Sequence, residues 1–210
     1  MRFAINAQAD GRGAWTIVPI DEMSSSGLSL SLAIIDGKPA VSYARGAHGL
    51  LRYAINTRAD GLGEWRKVNV DMDEDRGTVS SLAVVNGLPA IAYYDQHHQS
   101  LWYALARERD GYGEWNTFLV APETAGPHVS LAVAYGVPTI AFYDQGRQHL
   151  KLATSRDVTG ADAWSIATVV GASDAGKGAK LRILADGSPA LGYAHLIDSK
   201  QQILMIRQPR

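Results

Sequence analysis

The chain contains no cysteine. Disulfides, a thiolate nucleophile and thiolate-ligated zinc are therefore excluded. Its 20 Lys and Arg against 21 Asp and Glu give a formal charge of −1, so it lacks the basic field on which general nucleic-acid binding draws. Long apolar runs are missing as well. The longest uncharged apolar stretch, Ser130 to Tyr143, is interrupted by Gly136 and Pro138 and is too short to cross a bilayer as a helix. The opening residues, MRFAINAQADGRGAW, reach Asp10 before a signal-like apolar core can form. The expectation is a chain with no nucleic-acid partner, no membrane span and no visible export signal. These features leave its compartment open.

What the sequence does contain is a repeat. Trp15, Trp65, Trp115 and Trp164 recur at steps of 50, 50 and 49, and Pro39, Pro89, Pro138 and Pro189 at steps of 50, 49 and 51. One period holds four short runs, Ser81–Val85, Ala90–Tyr94, Ser100–Ala106 and Glu114–Val120, called here a, b, c and d. Asn86-Gly87 between a and b is a tight hairpin signal, repeated as Asp36-Gly37, Tyr135-Gly136 and Asp186-Gly187. Gly and Pro interrupt the chain too often for a long helical stripe. Run b in the second copy is apolar on both faces, Ala90, Ala92 and Tyr94 against Ile91 and Tyr93, and such a strand must be covered on both. Four-strand units of this size stacked around an axis make a propeller. The expected fold is all-β, a single repeat domain over 1–210 in which four-stranded antiparallel blades form a β-propeller of about four blades. An irregular sandwich or barrel of hairpins is the competing architecture.

Ring closure is a matter of counting. Copies of c begin at Arg2, Leu51, Leu101, Leu150 and Ile203, one more than the copies of a, b and d. The N-terminal pair Arg2–Ala7 and Ala14–Ile20 is expected to complete a blade with Lys180–Ala185 and Ser188–His195, mixing strands from both termini. The surplus strand Ile203–Arg207 then packs at an edge, pairs with a second copy as a homo-oligomer, or belongs to a longer array.

The c–d turns read Asp10-Gly11-Arg12-Gly13-Ala14-Trp15, Asp60-Gly61-Leu62-Gly63-Glu64-Trp65 and Asp110-Gly111-Tyr112-Gly113-Glu114-Trp115, with Thr159-Gly160-Ala161-Asp162-Ala163-Trp164 as a departing fourth. This pattern resembles the Asp-box of sialidase-like propellers, at the level of the blade and with the second glycine displaced by one residue. The residues themselves call for a structural role: Asp accepts turn amides, Gly supplies positive φ, and Trp fills the space between blades.

In such a meander the a–b and c–d turns share one face, and the b–c and d–a connections share the other. All six histidines fall in or beside the second set. Alignment of b places Arg45, Asp95, Asp144 and His195 at one position, with His48, His98 and Arg147 three residues further, and Tyr94 and Tyr143 just before the aspartates. Imidazole, carboxylate, guanidinium and aromatic groups together suit a carbohydrate or another polar, anionic ligand. The reading is a non-enzymatic, lectin-like module that binds through these nine residues, without cofactor, metal or catalytic groups. Two alternatives stand beside it: a structural or protein–protein interaction propeller, and a glycoside hydrolase using Asp95 and Asp144, the one carboxylate pair the repeat places symmetrically. The run Asp71-Met72-Asp73-Glu74-Asp75 offers oxygen ligands for calcium, but the spacing fails the EF-hand pattern and a solvated acidic loop is expected instead.

Overall fold

The computed structural model describes residues 1–8, 10–22, 26–46, 49–171, 174–197 and 200–207. Every element is a strand. In chain order, β1 (Arg2–Ile5) and β2 (Thr16–Pro19) form a two-stranded sheet. β3 (Ser26–Ile35), β4 (Lys38–Arg45), β5 (Leu50–Asn56) and β6 (Trp65–Asp71) form the first four-stranded meander. The second comprises β7 (Arg76–Val85), β8 (Leu88–Asp95), β9 (Ser100–Ala106) and β10 (Trp115–Ala121), and the third β11 (Ala125–Ala134), β12 (Val137–Asp144), β13 (His149–Ser155) and β14 (Trp164–Val170). β15 (Ala175–Ile183), β16 (Pro189–Ile197) and β17 (Lys200–Arg207) close the chain as a three-stranded sheet. All pairings are antiparallel. The fold is a β-propeller.

Each a strand starts about five residues earlier than its apolar run. In β7 the pairing shifts between Arg76 and Val79, so a bulge carries the strand back through polar residues to Arg76 opposite Asp95. The bulge is possible because Gly77 sits at φ 109°, where its missing Cβ would stand 2.7 Å from the Leu51 Cβ.

The two apolar faces of β8 go to different neighbours, as a doubly covered strand requires. Ala90, Ala92 and Tyr94 join the core toward the third sheet with Val129, Leu131, Ile140 and Phe142, while Ile91 and Tyr93 join Ile35, Ala40, Leu51 and Tyr53 of the first. Aromatic pairs reinforce each step: Trp65 on Phe3, Trp115 on Tyr53 and Trp164 on Tyr103, every pair with centroids 5.3 Å apart. The c–d turn aspartates do close the turns, since Asp60 and Asp110 each accept a backbone N–H two residues on at 3.0 Å. In the fourth copy Asp157 takes over, accepting from Thr159, Gly160 and Asp162.

A serine ladder ties the innermost strands together. The Leu82 amide donates to Ser31 Oγ at 2.9 Å, Leu131 to Ser81 at 3.0 Å and Leu181 to Ser130 at 2.9 Å. Ser130→Ala should cost about 2 kcal/mol, because it strands a buried N–H. Thermal denaturation should register this as a melting temperature lower by roughly 5 °C. An unchanged value would show that the ladder contributes nothing.

The closure expected from sequence is corrected here. β1 and β2 do not continue β16, because β17 already occupies that edge in an unbroken register from Ala190↔Arg207 to Ile197↔Lys200. The surplus strand thus packs at the edge of its own sheet. β1 and β2 pack instead against the first meander, where Ile20 and Phe3 meet Val41, Tyr43 and Trp65.

Candidate functional site

The b–c loops are shaped by the aspartate that ends each b strand. Asp95 Oδ1 accepts the His98 amide at 2.9 Å and Asp144 Oδ1 the Arg147 amide at 3.0 Å, an identical three-residue closure in successive repeats. The loops are then stitched to the neighbouring d–a segments. Gln96 N donates to Asp75 O and Gln145 N to Thr124 O, while Ala125 N donates to Gln99 O and Ala175 N to Gln148 O. Loop and segment therefore form one continuous hydrogen-bonded face.

Asp95 and Asp144 lie beneath this face, fully buried. Asp95 Oδ2 accepts from Arg76 Nε at 3.0 Å and lies 2.9 Å from His98 Nδ1. Asp144 pairs with Lys151. Burial alone would raise both carboxyl pKa values. It is outweighed by the His98 amide and ring and Arg76 at Asp95, and by Lys151 and the Arg147 amide at Asp144, so both are held below the ordinary carboxylate range.

Of the other expected site residues, Tyr94 is buried in the interblade core, and the His98 and Arg147 side chains are exposed. Arg45 and His195 are half-buried, and His48 lies outside the described residues. Tyr143 reaches a group that the repeat alignment passes over: its hydroxyl donates to Asp174 Oδ1 at 2.8 Å. Lys177 Nζ lies 2.7 Å from the same oxygen and donates to Oδ2 at 2.9 Å. His128 meets the Tyr143 ring edge-on at 6.0 Å. Lys177 and Tyr143 hold Asp174 ionised, below the ordinary carboxylate value. Burial and then the bond to Asp174 push the Tyr143 hydroxyl up to about 12. Burial first, then Lys177 and Lys180, push His128 down. Asp174, Tyr143, Lys177, His128 and His195 are thus one cluster at the entry of β15, with Asp174 partly open to solvent.

The acidic run near β7 is not a freely solvated loop. Asp71 is buried and accepts the Tyr93 hydroxyl at 2.7 Å, and Arg76 bridges Asp71, Asp73 and Asp95. The same acid–tyrosine bond joins Asp21 to Tyr43 at 2.8 Å. A sequence signal for it exists. The position of Asp21 and Asp71 becomes Ala121 in the third repeat, and there the tyrosine has become Phe142. A cleft of about 850 Å³ is lined by Asp21, Arg52, Trp65, Lys67 and Tyr112. Within it Arg52 pairs with Asp21 at 3.1 Å and Lys67 donates to the Ile20 carbonyl at 3.2 Å.

Stability should therefore depend on pH with one sign. Carboxyls whose folded pKa is depressed stabilise above their unfolded value, near 4, and that contribution is lost as pH falls through the folded pKa. His128, also depressed, adds a loss that begins below about pH 6.5. The melting temperature should be flat near neutrality and fall in two stages on acidification, with His128→Asn removing the upper one. A melting temperature that rises on acidification would contradict these assignments.

Comparison with protein families gives no match, and comparison with curated proteins finds no similar sequence. Solved structures do share the fold. An α-L-arabinofuranosidase from Podospora anserina, in complex with cellotriose, matches over 94% of this chain and 65% of its own, at 12% identity and TM-score 0.59. The catalytic domain of a Coprinopsis cinerea glycoside hydrolase family 62 α-L-arabinofuranosidase matches over 96% and 67%, at 10% identity and TM-score 0.59. A xylan β-1,4-xylosidase from Bacillus halodurans matches over 92% and 45%, at 14% identity and TM-score 0.53. The chain thus spans less than two thirds of the Podospora and Bacillus enzymes. The expected resemblance holds at the level of a propeller repeat, and no sialidase or Asp-box protein is among these structures. The expectation of a non-enzymatic, lectin-like module, with its leaning against catalysis, is corrected by this finding, since the proteins that share the fold are glycoside hydrolases. Among the described residues no helix is long and apolar enough to cross a membrane.

Proposed function

We propose that the protein is a carbohydrate-active propeller of the glycoside hydrolase class, cleaving a pentose- or hexose-containing saccharide laid across the b–c and d–a loops. The observation that carries this reading is the cluster around Asp174 on the face where the repeat gathers its histidines. Glycoside hydrolysis needs one ionised carboxylate, as base or nucleophile, and one carboxylic acid to protonate the leaving oxygen. Asp174 suits the first role: it is ionised, partly exposed and held in place by Tyr143 and Lys177. Glu123 is the proposed acid. It is exposed in the adjacent d–a segment, one residue before Thr124, the repeat equivalent of Asp174. Asp95 and Asp144 serve by fixing the loops that present His98 and Arg147, which with His195 supply donors to sugar hydroxyls, while the buried Tyr143 positions Asp174.

The test is release of 4-nitrophenol from aryl α-L-arabinofuranoside and β-D-xyloside, with product analysis on xylotriose and cellotriose. Turnover on at least one of these, lost in Glu123→Gln on the unactivated saccharides, supports the reading. No turnover on any of them overturns it.

A further inference from the structure

The step from one sheet to the next reuses the same parts three times, and the seam before β3 shows half of them unused. At three steps, the seam before β3 included, the glycine four residues before the tryptophan, Gly61, Gly111 or Gly160, lies against the aromatic ring of the preceding sheet and against the proline of its own, Pro39, Pro89 or Pro138. At the two-stranded β1–β2 sheet Gly11 has nothing within 4 Å, and Trp15 is 55% exposed. That sheet contains only the c and d strands of a repeat, β1 and β2. Among the described residues the β1 edge away from β2, which a b strand occupies in every meander, has no strand partner. On β3, Leu30, Leu32 and Ile34 face outward, with Leu32 59% exposed where its equivalent Leu131 is 4%. Between them runs a groove of about 380 Å³, lined by Phe3, Ile5, Gly11, Trp15, Leu32 and Ile34.

We infer that this groove is a docking site for a β-hairpin of the repeat's own a–b kind. One strand adds to the β1 edge and the other covers Leu30, Leu32 and Ile34, so that a serine hydroxyl meets the Leu32 amide as Ser31 meets Leu82. The continuity of an interface already made three times in the chain argues for that occupant. The sheet β15–β17, in this chain or in a second copy, is a poor substitute. Lys180 stands at its ladder position, an ammonium cannot accept an N–H, and Arg182 replaces the alanine found there in the other repeats. This inference does not depend on the carbohydrate reading.

The experiment adds a synthetic peptide with the sequence of residues 76–95, which contains no tryptophan, to the full chain. Saturable one-to-one binding is expected, with a blue shift in tryptophan emission and a melting temperature higher by roughly 5 °C. Leu32→Lys with Ile34→Lys, both at exposed positions, should weaken binding at least 10-fold, and a scrambled peptide should not bind. As a second arm, a chain extended at its N-terminus by a copy of residues 76–99 should protect one tryptophan from acrylamide quenching. Absence of both effects overturns the inference. So does binding that the lysine variants leave unchanged, or a dimer of the unmodified chain that those variants reduce to monomer, which would make a second copy the occupant.

Discussion

Asp174→Asn is expected to lower turnover by at least about 100-fold, the usual scale for removing a base or nucleophile. The geometry explains why so small a change should have so large an effect. Asn keeps the shape and can still accept the Tyr143 hydroxyl, but it removes the negative charge that Lys177 and Tyr143 hold in place. Because Asp174 is partly exposed, stability should change by about 1 kcal/mol or less. The contrast between the two numbers is the informative part. Loss of turnover with an intact melting curve assigns the carboxylate to the chemistry, whereas equal turnover in the variant moves the reactive pair elsewhere on the face. Steady-state rates and thermal melts on one preparation measure both.

Tyr103→Ala should produce the largest loss of stability, about 4 kcal/mol, or a melting temperature lower by roughly 12 °C. Tyr103 is fully buried where the second sheet meets the third. Its ring packs on Trp164 at 5.3 Å and near Phe118 at 6.3 Å, and its hydroxyl donates to the Thr159 carbonyl at 2.8 Å. Gly160 lies so close to the ring that a Cβ there would approach it to 2.7 Å. Truncation therefore empties the space that sets the angle between blades, and the backbone on either side can collapse only by tilting one sheet. Tyr103→Phe keeps the ring and should cost about 1 kcal/mol, the value of one net hydrogen bond. A Tyr103→Ala variant within 1 kcal/mol of the parent would mean that the aromatic plug does not hold the blades together.

The blades were legible in the sequence because their determinants are local and repeated. Asn86-Gly87 fixes a hairpin, and Pro89 with doubly apolar Ala90–Tyr94 fixes a strand that must be covered on both faces. The strand bounds at Arg76 and Ala125 were less legible, since the bulge after each, built on positive-φ Gly77 in the first case, leaves no apolar alternation to follow. Closure was misjudged for a different reason. β1 and β17 carry equivalent c-strand patterns, and which of them pairs with β16 is decided by chain connectivity, the short link from Ile197 to Lys200 favouring the local strand. At the site, repeat alignment singled out Asp95 and Asp144 because they recur. Their recurrence reflects loop closure, a demand every blade shares. Asp174 belongs to a connection whose side chains differ from blade to blade, so alignment passes over it, and a reactive group needed once has no reason to repeat.

The central claim is that the b–c and d–a face is where saccharide is bound and cut, and NMR titration of the side chains addresses it most directly. The five described histidines lie on that face, while Trp15, Trp65, Trp115 and Trp164 mark the c–d turns at the other. Addition of xylotriose to the Asp174→Asn variant, in which the saccharide persists, should move the imidazole signals of His128 and His195 and leave those four indole signals in place. Indole shifts without imidazole shifts, or no shift in either set at millimolar saccharide, would contradict the account.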